Sequence, residues 1–258
     1  MPSSATTDLG GTFLESIYRL ATLTMRALCF RNMTMRPAFI NVCVEGRYPN
    51  LADRLAMSLE TFGYKDATLR WKDEYPPGSP PHRDENYAFK KYALHDAARG
   101  GYNLLVWLDA PMVAVRDPAL LLEQVERDGY AFFGAPQWNC GEWSTDACLA
   151  YFGVGRVEAF SVPMFPSSAF GLSLAHPIGR EVYQRFIAVP YTALNGSWYR
   201  NDREAPPSPN PRVLGHRHDQ SALSLIAYQL GLAVPWSPTP FAHANRADAT
   251  TIFVHDRS

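Results

Sequence analysis

Apolar stretches alternate with amphipathic stretches along the first half of the chain. Residues 39–44 form an apolar run that predicts a first strand, and residues 67–71 predict a second. Between them, residues 50–62 carry a helical pattern that begins at Asn50 and ends before Gly63. This rhythm is typical of an α/β domain with a mostly parallel central sheet flanked by helices.

The strongest strand pattern covers residues 103–108, which are apolar on both faces. Such a strand is expected at the centre of a parallel sheet, where helices cover both faces. Helices are predicted on either side of it, over residues 85–99 and 118–127. Asp109 closes the strand and is therefore predicted to lie at the carboxyl edge of the sheet, where ligands of open parallel sheets bind.

The second half of the chain is less regular. Residues 190–211, rich in proline, asparagine and aromatic residues, predict a long loop, and residues 219–230 predict a helix. Residues 251–254 predict a short terminal strand or an extended tail. Residues 167–171 are small and predict a turn that lines a cleft, or a plain loop.

The N-terminal residues 13–30 place apolar side chains at helical spacing, interrupted by charged residues. We expect an amphipathic helix in a segment, residues 1–36, that packs on one α/β domain, residues 37–258. Membrane contact through this helix is the alternative, whereas the charges argue against a signal peptide. No apolar run is long enough to span a membrane, and a cytoplasmic location is expected.

Composition and charge narrow the range of functions. The 258 residues are 47% hydrophobic, enough for a sizeable core. The net charge of −1 and the scattered basic residues do not indicate a nucleic-acid partner. No CxxC pair is present, so zinc is not predicted, and free thiols are expected rather than a disulfide between Cys140 and Cys148.

Asp109 is the first candidate for chemistry. A carboxylate at this edge of a sheet can hold a divalent cation that neutralises a diphosphate, and the alternative is a simple turn aspartate. Lys90 and Lys91 lie near the start of the helix that leads to the Asp109 strand. Either lysine can meet a phosphate as a point charge, and a solvated charged face is the alternative.

A second polar cluster, residues 215–221, follows a proline-rich loop and opens a predicted helix. Helix N-termini attract anions through free N–H groups and the helix dipole. His218, Asp219 and Gln220 add metal-binding, acid–base and hydrogen-bonding groups. The alternative for Asp219 is a simple helix cap.

Two further groups could contact a ligand. At the C-terminus, His255 could complete a metal site and Arg257 could clamp a phosphate, unless both belong to a tail. Four tryptophans in loop-like segments could stack on sugar rings or be buried. They are Trp138, Trp143, Trp198 and Trp236.

Together these pieces resemble GT-A nucleotide-diphospho-sugar glycosyltransferases. The likeness is carried by residues 87–94, 106–110 and 218–221, whose order and spacing span about half of the chain. In that family an Asp-x-Asp motif after the central strand binds the cation that bridges the donor diphosphate. Asp109 matches its first aspartate, but Pro111 stands in place of the last one, so the motif is a degenerate Asp-Ala-Pro.

The resemblance implies a role for each site residue. Asp219 and Gln220 match a pair that lies beside the reacting sugar carbon in retaining members, so they are the implied catalytic residues. Asp109 and His255, with His243 as an alternative histidine, are the implied ligands of Mn²⁺ or Mg²⁺. The implied donor-binding residues are Lys90, Lys91, Asp109, Ala110, His218 and Arg257.

The expected activity is transfer of a hexosyl or deoxyhexosyl group from a nucleotide-diphosphate sugar, with a UDP-sugar preferred, to a hydroxyl of a glycan or other acceptor. The likeness favours retention, and an inverting reaction would use Asp219 as the base. A nucleotidyltransferase is an alternative, although residues 45–49 match its glycine-rich loop poorly. A non-catalytic sugar- or nucleotide-binding domain is another, because Pro111 replaces a carboxylate. The strand–helix rhythm argues against a phosphohydrolase.

Overall fold

The computed structural model describes residues 34–46, 48–133, 138–202, 206–235, 240–243 and 246–256. Residues from Arg36 onward form one unit around a five-stranded sheet. The helix predicted over residues 13–30, together with Trp236 and Arg257, lies outside the described residues. Across the described ranges, every helix is too short or too polar to cross a bilayer.

Strands and helices follow one another through most of the chain. The strands are β1 (Pro37–Val42), β2 (Thr68–Trp71), β3 (Leu104–Leu108), β4 (Met112–Ala114), β5 (Tyr130–Ala131), β6 (Ala169–Ser173), β7 (Phe241–His243) and β8 (Phe253–His255). The α-helices are α1 (Tyr48–Glu60), α2 (Phe89–Arg99), α3 (Ala119–Asp128), α4 (Asp146–Phe152), α5 (Arg156–Ala159), α6 (Pro177–Ala188), α7 (Tyr191–Leu194) and α8 (His218–Gln229). A 3₁₀ helix, Lys65–Ala67, precedes β2.

The main sheet has the strand order β2-β1-β3-β6-β5. Strands β2, β1 and β3 are parallel, and β6 runs antiparallel to both β3 and β5, so four strands share one direction. The predicted α/β class with a mostly parallel sheet is confirmed. All five residues of β3 are buried, as expected for a central strand, and the core extends from the sheet to α2, α6 and α8.

The predicted turn over residues 167–171 is wrong, because Ala169–Ser173 is a fully buried strand inside the sheet. Its small residues let a helix approach the strand backbone. A Cβ added to Gly171 would lie 2.4 Å from a methyl carbon of Val125 in α3. Low side-chain volume therefore reflects close helix–strand packing here rather than a turn.

Helix α2 begins four residues later than predicted, at Phe89. Tyr87 has φ 57°, in the left-handed region that a helix cannot contain. The helix buries Lys90 together with Ala93, Leu94 and Ala97. Of the two adjacent lysines, Lys90 is therefore the one in the protein interior.

A second, three-stranded sheet has the order β4-β8-β7. Met112 pairs with His255, and the backbone N–H of Asp256 donates to the carbonyl of Pro111 at 2.8 Å. The C-terminal segment is thereby brought back to the turn that follows Asp109. Within the described residues 190–202 and 206–211, the predicted loop is confirmed except for the short helix α7.

Candidate active site

The ammonium group of Lys90 lies between two carboxylates at the carboxyl end of β3. Its Nζ is 3.1 Å from Asp109 Oδ1 and 2.7 Å from Asp219 Oδ2. The Lys90 and Asp219 side chains are 1% and 3% exposed, whereas that of Asp109 is 31% exposed. The structure thus joins three predicted site residues in one carboxylate–lysine cluster (Lys90, Asp109, Asp219), and Asp109 is the member that solvent reaches.

Three elements converge on this cluster. Asp109 follows β3 directly, Lys90 is the second residue of α2, and Asp219 is the second residue of α8. The segment before β6 joins them through its backbone: the Ser167 carbonyl accepts from Lys90 Nζ at 2.9 Å, and the Ser168 carbonyl accepts from the Asp109 N–H at 2.7 Å. Both serines belong to the segment for which the sequence predicted a turn that lines a cleft, and their contribution to the cluster is main-chain.

Trp107 fixes the orientation of Asp109. Its indole Nε1 donates to Asp109 Oδ1 at 2.7 Å, and the Lys90 ammonium lies 5.0 Å from the centre of its ring. The two side chains are two residues apart at the end of a strand, and side chains at this spacing share a face of a sheet. This spacing is a signal in the sequence that could have identified Trp107 as a neighbour of Asp109.

Burial and charge set the protonation of the cluster. Loss of water raises the pKa of Asp109 above the usual 3.8; the Lys90 ammonium opposes this shift and the Asp219 carboxylate adds to it. Burial alone would lower the pKa of Lys90, but the two carboxylates outweigh it and raise that pKa above 10.5. Lys90 therefore stays protonated at neutral pH and compensates one of the two carboxylates.

The start of α8 is held in a strained backbone conformation. His218 has φ 49°, and its Nδ1 lies 2.8 Å from the Leu194 carbonyl, so Nδ1 carries the proton. Tyr87, with φ 57°, donates its N–H to His82 Nδ1 at 3.0 Å and stacks on His218 at 5.3 Å between ring centres. Left-handed non-glycine residues are costly and are found mainly where a site requires them.

Asp219 and Gln220 are both buried in the first turn of α8. Arg217 occupies the N-cap position, and the Asp219 carboxylate contacts Lys90 instead of capping the helix. Among the described residues, the buried Gln220 Nε2 has no hydrogen-bond partner. Buried amides are nearly always hydrogen-bonded, so an unpaired donor next to Asp219 in the chain is unusual.

An aromatic box encloses Arg217, the residue before this strained turn. The centre of its guanidinium group lies over four rings, at 4.7 Å from Trp138, 4.0 Å from Trp143, 4.4 Å from Trp198 and 5.2 Å from Tyr199. Arg217 is 5% exposed. Three of the tryptophans considered as sugar platforms therefore face a buried cation, and the box anchors the chain where it enters α8.

We expect Arg217→Leu to lower the free energy of unfolding by about 2 kcal/mol, because desolvated cation–π contacts are worth about that much. Arg212→Leu is the matched control: Arg212 is exposed and lies over a single ring, Phe160, at 3.6 Å. Its loss should cost about 0.5–1 kcal/mol. Urea unfolding of both variants tests this, and equal losses would show that the box adds no stability.

The remaining predicted site residues make other contacts. Lys91 donates to the Val189 carbonyl, and Ala110 is buried. His255 lies in β8 with its ring centre 5.0 Å from that of His243.

The three described cysteines, Cys43, Cys140 and Cys148, are free and buried, so the predicted free thiols are confirmed for them.

The donor set at Asp109 does not fit a metal ion held by protein ligands alone. In the described part of the chain, no three His, Cys, Asp or Glu side chains are grouped so that they could hold a metal. Asp109 Oδ1 is engaged by Lys90 and Trp107, and Pro111 supplies no carboxylate. The positive charge found beside Asp109 is that of Lys90.

A pocket of about 240 Å³ opens beside the cluster. It is lined by His82, Asn86, Tyr87, Gly196, Trp198, Asp202 and His218. The Tyr87 ring connects the two features, because its centre is 5.4 Å from Lys90 Nζ.

Comparison with known proteins gives a likeness of fold. No protein-family model matches the chain, and no curated protein matches its sequence. A glycosyltransferase involved in glycosylation of the major capsid of PBCV-1 has a TM-score of 0.43 and 11% identity, with 85% of this chain and 92% of that chain covered. The galactosyltransferase LgtC, in complex with donor and acceptor sugar analogues, has a TM-score of 0.41 and 12% identity, with 86% and 87% covered. For the bifunctional glycosyltransferase WbbM the values are 0.47 and 8%, and the match covers 88% of this chain but 46% of that one.

These neighbours are glycosyltransferases. At such identities and TM-scores the likeness concerns the course of the chain and assigns no activity. The fold and the site together define the class of protein: it is an α/β protein with a buried carboxylate–lysine cluster at the carboxyl edge of its sheet.

Proposed function

We propose that this protein is a glycosyltransferase that moves a hexosyl or deoxyhexosyl group from a nucleotide-diphosphate sugar to an acceptor hydroxyl. The observation that carries the proposal is the buried Lys90 ammonium between Asp109 and Asp219. Ionisable groups with shifted pKa values at the carboxyl edge of a sheet are typical of a catalytic site. The strained start of α8 beside them supports the same location.

The reaction breaks the bond between the anomeric carbon and the diphosphate, whose oxygen keeps the electron pair. The acceptor oxygen forms the new bond to that carbon, which carries positive charge in the transition state. We assign Asp219 to stabilise this charge and the Gln220 amide to donate to an oxygen of the sugar. Because one Asp219 oxygen is held by Lys90, we assign the acceptor proton to the leaving phosphate, which corresponds to retention.

We assign Asp109 to the donor nucleotide because its side chain is the most exposed of the three in the cluster. We propose that this nucleotide is UDP. A requirement for Mn²⁺ or Mg²⁺, with Asp109 and His255 as ligands, stays a prediction of the resemblance. In its support, the pairing of His255 with Met112 brings that histidine close to the Asp109 turn. Lys90, Ala110 and His218 remain proposed donor-binding residues, and Lys91 and Arg257 remain predictions.

A thermal-shift screen tests the proposal. We expect one nucleoside diphosphate, with or without Mn²⁺, to raise the melting temperature by about 5–10 °C at about 100 times its Kd, since such binding adds about 2.7 kcal/mol. The matching nucleoside without phosphates is the control and should give a much smaller shift. The absence of a shift with UDP, GDP, CDP and ADP would contradict the proposal.

Turnover separates the alternatives. A glycosyltransferase releases nucleoside diphosphate from its nucleotide sugar, slowly to water and faster to an acceptor. A nucleotidyltransferase would instead release pyrophosphate from a nucleoside triphosphate and a sugar phosphate. A non-catalytic domain would bind the donor and release neither product, which chromatography of the nucleotides would show directly.

A further inference from the structure

The pocket beside the carboxylate–lysine cluster has an aromatic wall. Trp198 is 37% exposed, and its ring centre lies 5.8 Å from that of Tyr87 and 5.5 Å from that of His218. The planes of the three rings lie within about 30° of one another: the angle is 32° between Trp198 and Tyr87, 30° between Trp198 and His218, and 29° between Tyr87 and His218. Trp198 packs against both of these rings and against Arg217, and the part of the indole that stays exposed suits the apolar C–H face of a sugar ring.

Polar groups line the rest of the pocket. One Asp202 oxygen accepts the Tyr199 N–H at 2.8 Å, and a carboxylate has lone pairs for further donors. His82 Nδ1 accepts the Tyr87 N–H, and burial lowers the pKa of His82, so the neutral ring carries its proton on Nε2. Asn86 adds an amide. The pocket thus offers donors and acceptors around an aromatic wall.

We propose that this pocket binds a neutral pyranose ring which, if the proposed function holds, belongs to the acceptor. A hydroxylated ring matches both halves of the pocket: its C–H face packs on Trp198 and its hydroxyls bond to Asp202, Asn86 and His82. The Asp202 carboxylate disfavours the diphosphate of a donor, because like charges repel. His218, which lines the pocket, directly precedes Asp219 at the start of α8, so the proposed ring would bind next to the proposed catalytic residues.

Binding of simple glycosides tests the inference without a known acceptor. Saturation-transfer-difference NMR would be recorded with the methyl glycosides of glucose, galactose, mannose and xylose on the full chain. We expect ring-proton signals from at least one of them. Trp198→Ala and Asp202→Asn should weaken its binding by about tenfold, the equivalent of one lost stacking or charged hydrogen-bond contact.

Two controls keep the outcomes separate. Tyr151→Ala removes an aromatic ring that is 45% exposed outside the pocket and should leave glycoside binding unchanged. Trp198 also contacts Arg217, whereas Asp202→Asn keeps an oxygen for the Tyr199 N–H and leaves the aromatic box intact. The inference is overturned if no glycoside binds the parent protein, or if both pocket variants bind it as well as Tyr151→Ala does.

The nucleoside diphosphate thermal shift, measured on the same samples, reports on the proposed function independently. A shift without glycoside binding overturns the pocket and leaves the proposed function standing. Glycoside binding that depends on Trp198 and Asp202, without a nucleoside diphosphate shift, supports the pocket and overturns the proposed function.

Discussion

Replacement of Lys90 by methionine is expected to lower the free energy of unfolding by about 3–5 kcal/mol and to abolish sugar transfer. Methionine fills a similar volume but leaves Asp109 and Asp219 together without a cation. Removing one partner of a buried ion pair typically costs about 3–5 kcal/mol, because the other charge stays buried without compensation. Typical domains are stable by about 5–15 kcal/mol, so the loss is large. Urea unfolding followed by tryptophan fluorescence measures it.

Lys91→Met is the matched control, because Lys91 occupies the next position on the same helix and donates to a backbone carbonyl instead of a carboxylate. If both variants lost the same stability, the cluster would have no special energetic role. The double variant Lys90→Met with Asp219→Asn should recover part of the loss, since one uncompensated charge is gone. It also provides a folded protein if the single variant does not fold.

The pH dependence of Lys90→Met follows from the same charges. The Lys90 ammonium opposes the raised pKa of Asp109, so without it that pKa rises further. Groups with a raised folded-state pKa contribute stability at low pH and lose it as the pH rises through that pKa. The deficit of the variant relative to the parent should therefore shrink as the pH falls from 7 towards 5.

Local patterns located Asp109 correctly because its position depends on one strand. Residues 103–108 are apolar enough to be buried wherever the chain runs, and the first polar residue after them must emerge at the edge of the sheet. The helix that starts at His218 was equally readable, so Asp219 and Gln220 could be placed at its first turn. These predictions needed no knowledge of distant contacts.

The remaining features depend on contacts between distant segments. Lys90 contacts the two carboxylates and Lys91 contacts the Val189 carbonyl, and the sequence alone does not distinguish the two adjacent lysines. The aromatic box around Arg217 is assembled from two separate loops. Strand β6 was missed because its small residues are also typical of turns, and only the packing of α3 on Gly171 distinguishes the two.

Asp109→Asn is expected to reduce sugar transfer at least about 100-fold while leaving the protein as stable as the parent or more so. The loss of activity follows from removing a charge at the donor side of the cluster, where one polar group is commonly worth about that factor. Stability is retained because the amide oxygen can still accept from Trp107 Nε1, and Lys90 keeps Asp219 as its partner. The pKa of Asp109 is raised, so its ionised form is disfavoured by folding, and the neutral amide removes that cost.

The sign of the pH effect distinguishes this explanation from a simple loss of contacts. A raised pKa means that Asp109 contributes stability at low pH and loses it as the pH rises above about 4, so the advantage of Asp109→Asn should grow between pH 4 and 7. Asp53→Asn is the opposite control: its pKa is lowered by Lys72 and Arg70 on the surface, so its contribution is present at neutral pH and lost in acid. That variant should lose a little stability at pH 7 and keep its activity.

Full turnover in Asp109→Asn would remove Asp109 from the mechanism, and a melting temperature well below that of the parent would make it a structural anchor instead.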